Sequence, residues 1–235
     1  MSNGQSLVSD RSESEYDRLE QPAAASHPPA PVIRHLGLVE FQPTCAAMRR
    51  FTTSRQHDTP DELWVLQHPP IYTAGLATRS QHLPRDSSIP LARTDRGGQI
   101  TYHGPGQAVI YTLLDLTRRN LKIRQFVSLL EQAVIDTLAQ YNVSAQAKSA
   151  APGVYVNGAK IAALGLRVRK GGCYHGVALN VDMDLAPFLA IDPCGYPGLA
   201  VTQARDLGIV ASVDELGDRL AAKLTQLLAQ HERNH

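Results

Sequence analysis

Residues 153–184, GVYVNGAKIAALGLRVRKGGCYHGVALNVDMD, constrain the fold of this chain more than any other stretch. Asn157-Gly158 is a strong signal for a two-residue hairpin turn, because both central positions of a type I′ turn take positive φ. Lys170-Gly171-Gly172 marks a second turn. Apolar and β-branched residues fill the runs between them, so the segment predicts a three-stranded antiparallel meander.

The flanking chain supplies helices and shorter strands. ELWVLQHPPIYTAG reads as a buried strand, a Pro-Pro break and a second extended piece. PLARTDRGGQITYHGPGQAVIYTLLDL gives short strands around its glycines. Cys45, Met48 and Phe51 share the spacing of a short helix. Phe126, Val127, Leu130, Val134, Leu138 and Tyr141 line one face of an amphipathic helix. A short helix is expected near residues 185–190. The last helix opens on a capping-box pattern, Ser212 with Glu215, and carries Val213, Leu216, Leu220, Leu224, Leu227 and Leu228 as its apolar stripe. Strands come in antiparallel clusters with helices between clusters. The expected class is therefore α/β (α+β): a mixed, largely antiparallel β-sheet flanked by helices.

Residues 1–31 differ from the rest. They are rich in Ser, Ala and Pro and poor in large apolar groups, so they read as a disordered tail ahead of one globular domain spanning 32–235. The tail lacks an apolar core for secretion, and its five acids against two arginines argue against a mitochondrial presequence. No apolar run approaches the roughly 18 residues that cross a membrane. With three cysteines and no CxxC among 235 residues, a reducing compartment is expected, hence the cytoplasm. A formal charge of +1 gives no sign of nucleic-acid binding.

Few residues bear chemistry. Cys45 fits a core helix position, and Cys173, on a strand beside a turn, leans the same way. Cys194 is different: in DPCGYPG it stands between Pro193 and Gly195, outside any apolar periodicity, where a thiol is presented and not packed. His68, His103 and His175 adjoin Pro or Gly turns and are either partners for a thiol or ordinary satisfied histidines. Strand alternation places Lys160 on the face carrying Ala162, Leu164, Leu166 and Val168. Such a lysine either ends the strand with its amine in water or is desolvated, and only the second makes it a usable base. GVYVNGAK falls short of a phosphate-binding loop, since Ala159 intrudes and Ile161 replaces the Ser/Thr. GPGQAV lacks the third glycine of a dinucleotide fingerprint. No metal-site spacing is present, so neither metal nor cofactor is expected.

RGGQITYHGPGQ (96–107) resembles the signature of the lipoyl(octanoyl) transferases, also called lipoate-protein ligase B. QHPPIYTAG, GVYVNGAKIAALGLRVRKG, HGVALNVDMDLAPF and IDPCGYPG are similar to that family's other blocks and follow in its order, over about residues 35–210. The resemblance implies a biotin/lipoate ligase catalytic-domain-like fold. It implies an ATP-independent octanoyltransferase that takes its acyl group from octanoyl-acyl carrier protein. The implied acceptors are lipoyl domains of 2-oxoacid dehydrogenase E2 subunits and the glycine cleavage H protein. It makes Cys194 the acyl-accepting nucleophile and Lys160 its activating base. Arg96, Gly97, Gly98, Gln99, Ile100, Thr101, Tyr102 and His103 match one wall of the acyl pocket. Ala163, Leu164 and Gly165, with Gly176, Val177 and Ala178, match the other, and His68 is expected to line the site. Amides of Gly97, Gly98, Gly104 and Gly106, with Gly165 and Gly176, are expected as oxyanion donors. Two basic clusters, Arg118-Arg119-Lys122-Arg124 and Arg167-Arg169-Lys170, are expected to dock an acidic carrier. A monomer is expected. A thioesterase-like thiol hydrolase, a non-catalytic acyl-binding module and an ATP-dependent ligase remain as other readings.

Overall fold

In the computed structural model of the protein, residues 1, 28–84, 88–149, 151–191 and 199–234 are described. A seven-stranded sheet forms the frame. Its strands are β1 (Val32–Leu38), β2 (Glu62–Gln67), β6 (Gln107–Leu113), β10 (Gly172–Asn180), β9 (Ala159–Arg169), β8 (Val154–Val156) and β7 (Gln146–Ala147), in that spatial order. Only β1 and β2 run parallel; every other neighbouring pair is antiparallel. The meander is present as β8–β9–β10. Asn157 and Gly158 both take positive φ, as do Lys170 and Gly171, so the second turn centres one residue earlier than the Gly-Gly pair. β7 lengthens the meander by a strand too short to leave a period in the sequence.

A smaller sheet, in the order β4 (Leu91–Arg93), β3 (Ile71–Ala74), β5 (Ile100–His103), stands apart from the first. Pro69 and Pro70 lack amide donors, so the chain leaves the large sheet after β2 and starts the small one at β3. β3 then pairs antiparallel with β5.

Three helices cover the large sheet. Alternation along β6 sends Ala108 and Ile110 to one face and Val109 and Tyr111 to the other. On the first face lie α2 (Ile123–Ala139) and α3 (Val213–Arg233), whose buried Phe126, Leu130, Val134 and Leu138 meet Leu216, Leu220, Leu224 and Leu228. On the second lies α1 (Phe41–Ser54), with Phe41, Cys45 and Met48 buried. This helix starts at Phe41, ahead of the Cys45, Met48 and Phe51 spacing, because Pro43 sits in its first turn, where an amide donor is not required. The turn at residues 186–190 is a 3-10 helix. Ser212 accepts from the Glu215 amide at 3.1 Å, while the Glu215 carboxylate turns to Arg219 and Tyr141 instead of closing the box. No described helix is long and apolar enough to cross a membrane.

Candidate active site

Between the α1 face of the large sheet and the small sheet lies a cleft, open to solvent on one side, with a cavity volume of about 60 Å³. Arg96, Gly98, Gln99, Ile100, Thr101 and His103 line one side. Ala163, Leu164 and Gly165 of β9, with Gly176, Val177 and Ala178 of β10, line the other. Gly97 and Tyr102 are not on the lining. Gly97 donates its amide to Leu166 at 2.8 Å, which joins the loop to β9, and Tyr102 is buried among Tyr72, Ile100 and Phe188.

Lys160 lies in this cleft and is only 4% exposed, which decides against an amine held in water. Its Nζ donates to the Pro152 carbonyl at 3.0 Å and stands 5.5 Å from the Tyr155 ring centre. Its backbone joins β9 to the chain after residue 198: the Lys160 amide donates to Ala200 O, and Thr202 N donates to Lys160 O. Cys194 lies outside the described residues. The chain on either side of it reaches the cleft, since Ile191 is buried with the cleft-lining Phe188 and Val201 is itself on the lining. The described cysteines are buried, and burial raises both thiols, Cys173 to about 11.

A relay of hydrogen bonds spans the cleft. Arg96 Nη2 donates to the Thr73 carbonyl and hydroxyl, at 2.6 and 2.9 Å. Thr73 Oγ1 lies 3.3 Å from His103 Nε2, and His103 Nδ1 lies 2.7 Å from Gln107 Oε1. Gln107 spends its NH₂ on Asn180 Oδ1 and the Tyr102 carbonyl, so its oxygen accepts and the His103 proton sits on Nδ1. Asn180 Nδ2 donates to Thr202 O, one bond from the Lys160 backbone. Burial, then the neighbouring His68, lowers the His103 pKa to about 3.

His68 does not line the cleft. It sits behind Tyr111, whose hydroxyl donates to His68 Nε2 at 2.7 Å, while His68 Nδ1 donates to Val39 O at 2.6 Å. Burial lowers its pKa as well. His175 is on the lining, 3.3 Å from both Thr94 Oγ1 and Asp95 Oδ1. Burial holds it at about 4 in spite of that carboxylate. Burial pushes Asp95 up, but hydrogen bonds from Tyr174, His175 and Arg49 prevail and bring it to about 2.

The structure corrects two expectations. Of the loop amides, Gly97's goes to Leu166 and Gly106's to Gln67 Oε1 at 2.8 Å, so neither is left for an oxyanion. Gly106 serves a close approach instead: a Cβ there would lie 1.9 Å from Asp182 O. The first basic cluster is divided, for Lys122 and Arg124 stay exposed while its two leading arginines do not. Arg118 and Arg119 turn inward to the fully buried Asp61 carboxylate, at 2.7 and 2.5 Å. Sequence reasoning missed Phe41, Val109, Tyr111, Asn180 and Phe188 on the lining. Asn180 had left a trace, as a polar residue closing the apolar run of β10.

The chain matches the model of the lipoyl protein ligase A/B catalytic domain over residues 42–225. It is 59% identical over 208 residues to the octanoyltransferase of Aromatoleum aromaticum, covering 88% of this chain and 89% of the relative. It is 60% identical over 187 residues to that of Thiobacillus denitrificans, covering 80% and 86%. Among solved structures, lipoate-protein ligase A bound with ATP superposes with a TM-score of 0.72 over 86% of each chain, at 18% identity. Biotin protein ligase from Aquifex aeolicus, with biotin and ATP, gives 0.57 over 86% of this chain and 72% of its own, at 14% identity. At such identities the likeness is one of fold.

Proposed function

The chain belongs to the lipoyl protein ligase A/B catalytic-domain family, and we propose that it is an octanoyltransferase working through Cys194 and Lys160. It takes an octanoyl group from an acyl carrier protein, holds it on Cys194 and delivers it to a lipoyl-domain lysine. The observation that carries this reading is a primary amine buried in an apolar cleft, with the chain on both sides of Cys194 ending at that cleft.

Lys160 takes the proton of the Cys194 thiol. The thiolate attacks the carrier thioester, a new S–C bond forms, the old one breaks, and Lys160 returns its proton to the departing carrier thiolate. The acceptor amine then attacks the acyl-enzyme. Its N–C bond replaces the S–C bond, Lys160 takes the amine's proton, and that proton passes to the freed Cys194 sulfur. Exchange between thioesters is nearly neutral in energy, and thioester to amide is downhill, so the route needs no nucleotide. Ala178, Val109 and Leu164 offer the acyl chain an apolar bed. The relatives named octanoyltransferase favour transfer over hydrolysis or simple acyl binding.

The test mixes purified protein, octanoyl-carrier protein and an apo lipoyl domain without ATP. Intact mass spectrometry then finds the acceptor heavier by one octanoyl group. With carrier alone, the enzyme gains an octanoyl adduct that hydroxylamine removes and that Cys194→Ala lacks. Transfer surviving in Cys194→Ala ends the covalent route, and transfer only from free octanoate with ATP replaces it by a ligase. Lys160→Met keeps the buried methylenes, so the melting temperature holds while transfer falls about 10²- to 10⁴-fold.

A further inference from the structure

The Lys160 amine rests on a turn that takes no direct part in the proposed chemistry. The Pro152 carbonyl accepts from Nζ at 3.0 Å. The next residue is bare for a steric reason: a Cβ at Gly153 would stand 2.4 Å from Lys160 Cε, 2.9 Å from Nζ and 2.8 Å from Ala162 O. Gly153 also takes φ +142, which suits glycine alone. Its amide donates to Glu131 Oε1, on α2, at 2.9 Å. One carboxylate on a rigid helix thus ties down the turn that seats the amine. Around the seat are two further titratable groups, Tyr155 and Lys148, with the Lys148 ammonium 4.2 Å from the Tyr155 ring centre.

We infer that Glu131 is a positioning residue for Lys160: by holding the Gly153 amide it fixes the Ala151-Pro152-Gly153 turn and keeps Nζ in the cleft. The inference rests on the role proposed above for Lys160. A carbonyl can accept from an amine or from an ammonium, so the bond to Pro152 can hold Nζ in place through both states of a proton transfer. Direction is what a proton transfer is sensitive to, and a shift of about 1 Å at a reacting group costs on the order of a hundredfold in rate. Without its anchor on α2 the turn is free to relax, and the Pro152 carbonyl moves with it.

The test reads two quantities in full-length protein. One is the kcat and KM of octanoyl transfer. The other is the pH dependence of iodoacetamide alkylation at the Cys194 peptide, followed by mass spectrometry. Lys160→Met moves the alkylation profile to higher pH, since the thiol loses its base. Glu131→Ala moves it the same way and lowers kcat about ten- to a hundredfold, with the carrier KM unchanged. Glu131→Gln keeps an acceptor oxygen for the Gly153 amide and restores the profile and most of the rate. Gly153→Ala, where it folds, behaves as Glu131→Ala. A wild-type profile and kcat in Glu131→Ala overturn the inference while leaving the Lys160 reading intact. A loss in Glu131→Ala that tracks a lower melting temperature, and that Gln does not repair, also overturns it, because Glu131 is then a support of the fold alone. An unmoved profile in Lys160→Met overturns the underlying reading, a separate outcome.

Discussion

His103 and His175 are neutral imidazoles enclosed at the cleft, and their cost shows at acid pH. Their pKa values fall from 6.5 to about 3 and about 4 on folding. Below pH 6.5 the unfolded chain takes up protons that the fold excludes. Stability is therefore complete above pH 6.5 and declines as pH falls toward 4, by up to about 1.4 kcal/mol per pH unit for each histidine. Asp95, lowered to about 2 from 3.8, continues the loss from pH 3.8 downward. Urea unfolding at pH 7, 6 and 5 reads the slope, and equal stabilities at all three would contradict neutral burial. The same lowering predicts that no histidine limb appears between pH 5 and 8 in the rate profile.

Elements divide into those that announce themselves and those that do not. α3 is held at its start by the Ser212 hydroxyl, so Ser212→Ala costs about 1 kcal/mol of stability, measurable as a lower urea midpoint with transfer unchanged. That cap, the leucine stripe behind it and the two turns of the meander were legible because each has a local stereochemical cause. The small sheet was not. β3 and β5 pair across an intervening loop, and nothing in IYTA or ITYH says which partner it will find. Lys160 shows the same limit from the other side. Its strand face was readable, but whether that end of β9 lay in water depended on the Ala151-Pro152-Gly153 turn and on the long-range bridge to Val201, neither of which the strand's own pattern records. For Gly97 and Gly106 the oxyanion reading failed likewise, since the donors were there and their acceptors, Leu166 and Gln67, lay on other strands.

Across the whole molecule, Asp61 gathers three arginines from separate parts of the chain. Its carboxylate, fully buried, accepts from Arg55, Arg118 and Arg119, and also from the Asp115 amide. It joins the end of α1 to the loop before α2, and Arg119 carries the link on to Glu232 at the end of α3. Asp61→Ala strands three guanidinium groups and destabilises by about 3–5 kcal/mol, read by urea unfolding. For an acidic carrier Lys122 and Arg124 remain exposed, as do Arg169 and Lys170, which lie beside a hollow that also includes Arg55, His57 and Asp115. Arg169→Glu with Lys170→Glu raises the apparent KM for the carrier several-fold at low salt and less at high salt; an unchanged KM removes that surface from docking. The ladder of main-chain bonds between Lys160 and residues 200–202 has a different consequence. It counts residues and ignores their identity. Side-chain exchanges at Ala200, Val201 and Thr202 leave the spacing intact, whereas deleting Val201 removes a strand step of about 3.3 Å between the two bonds, a frame error that no compensating side chain repairs.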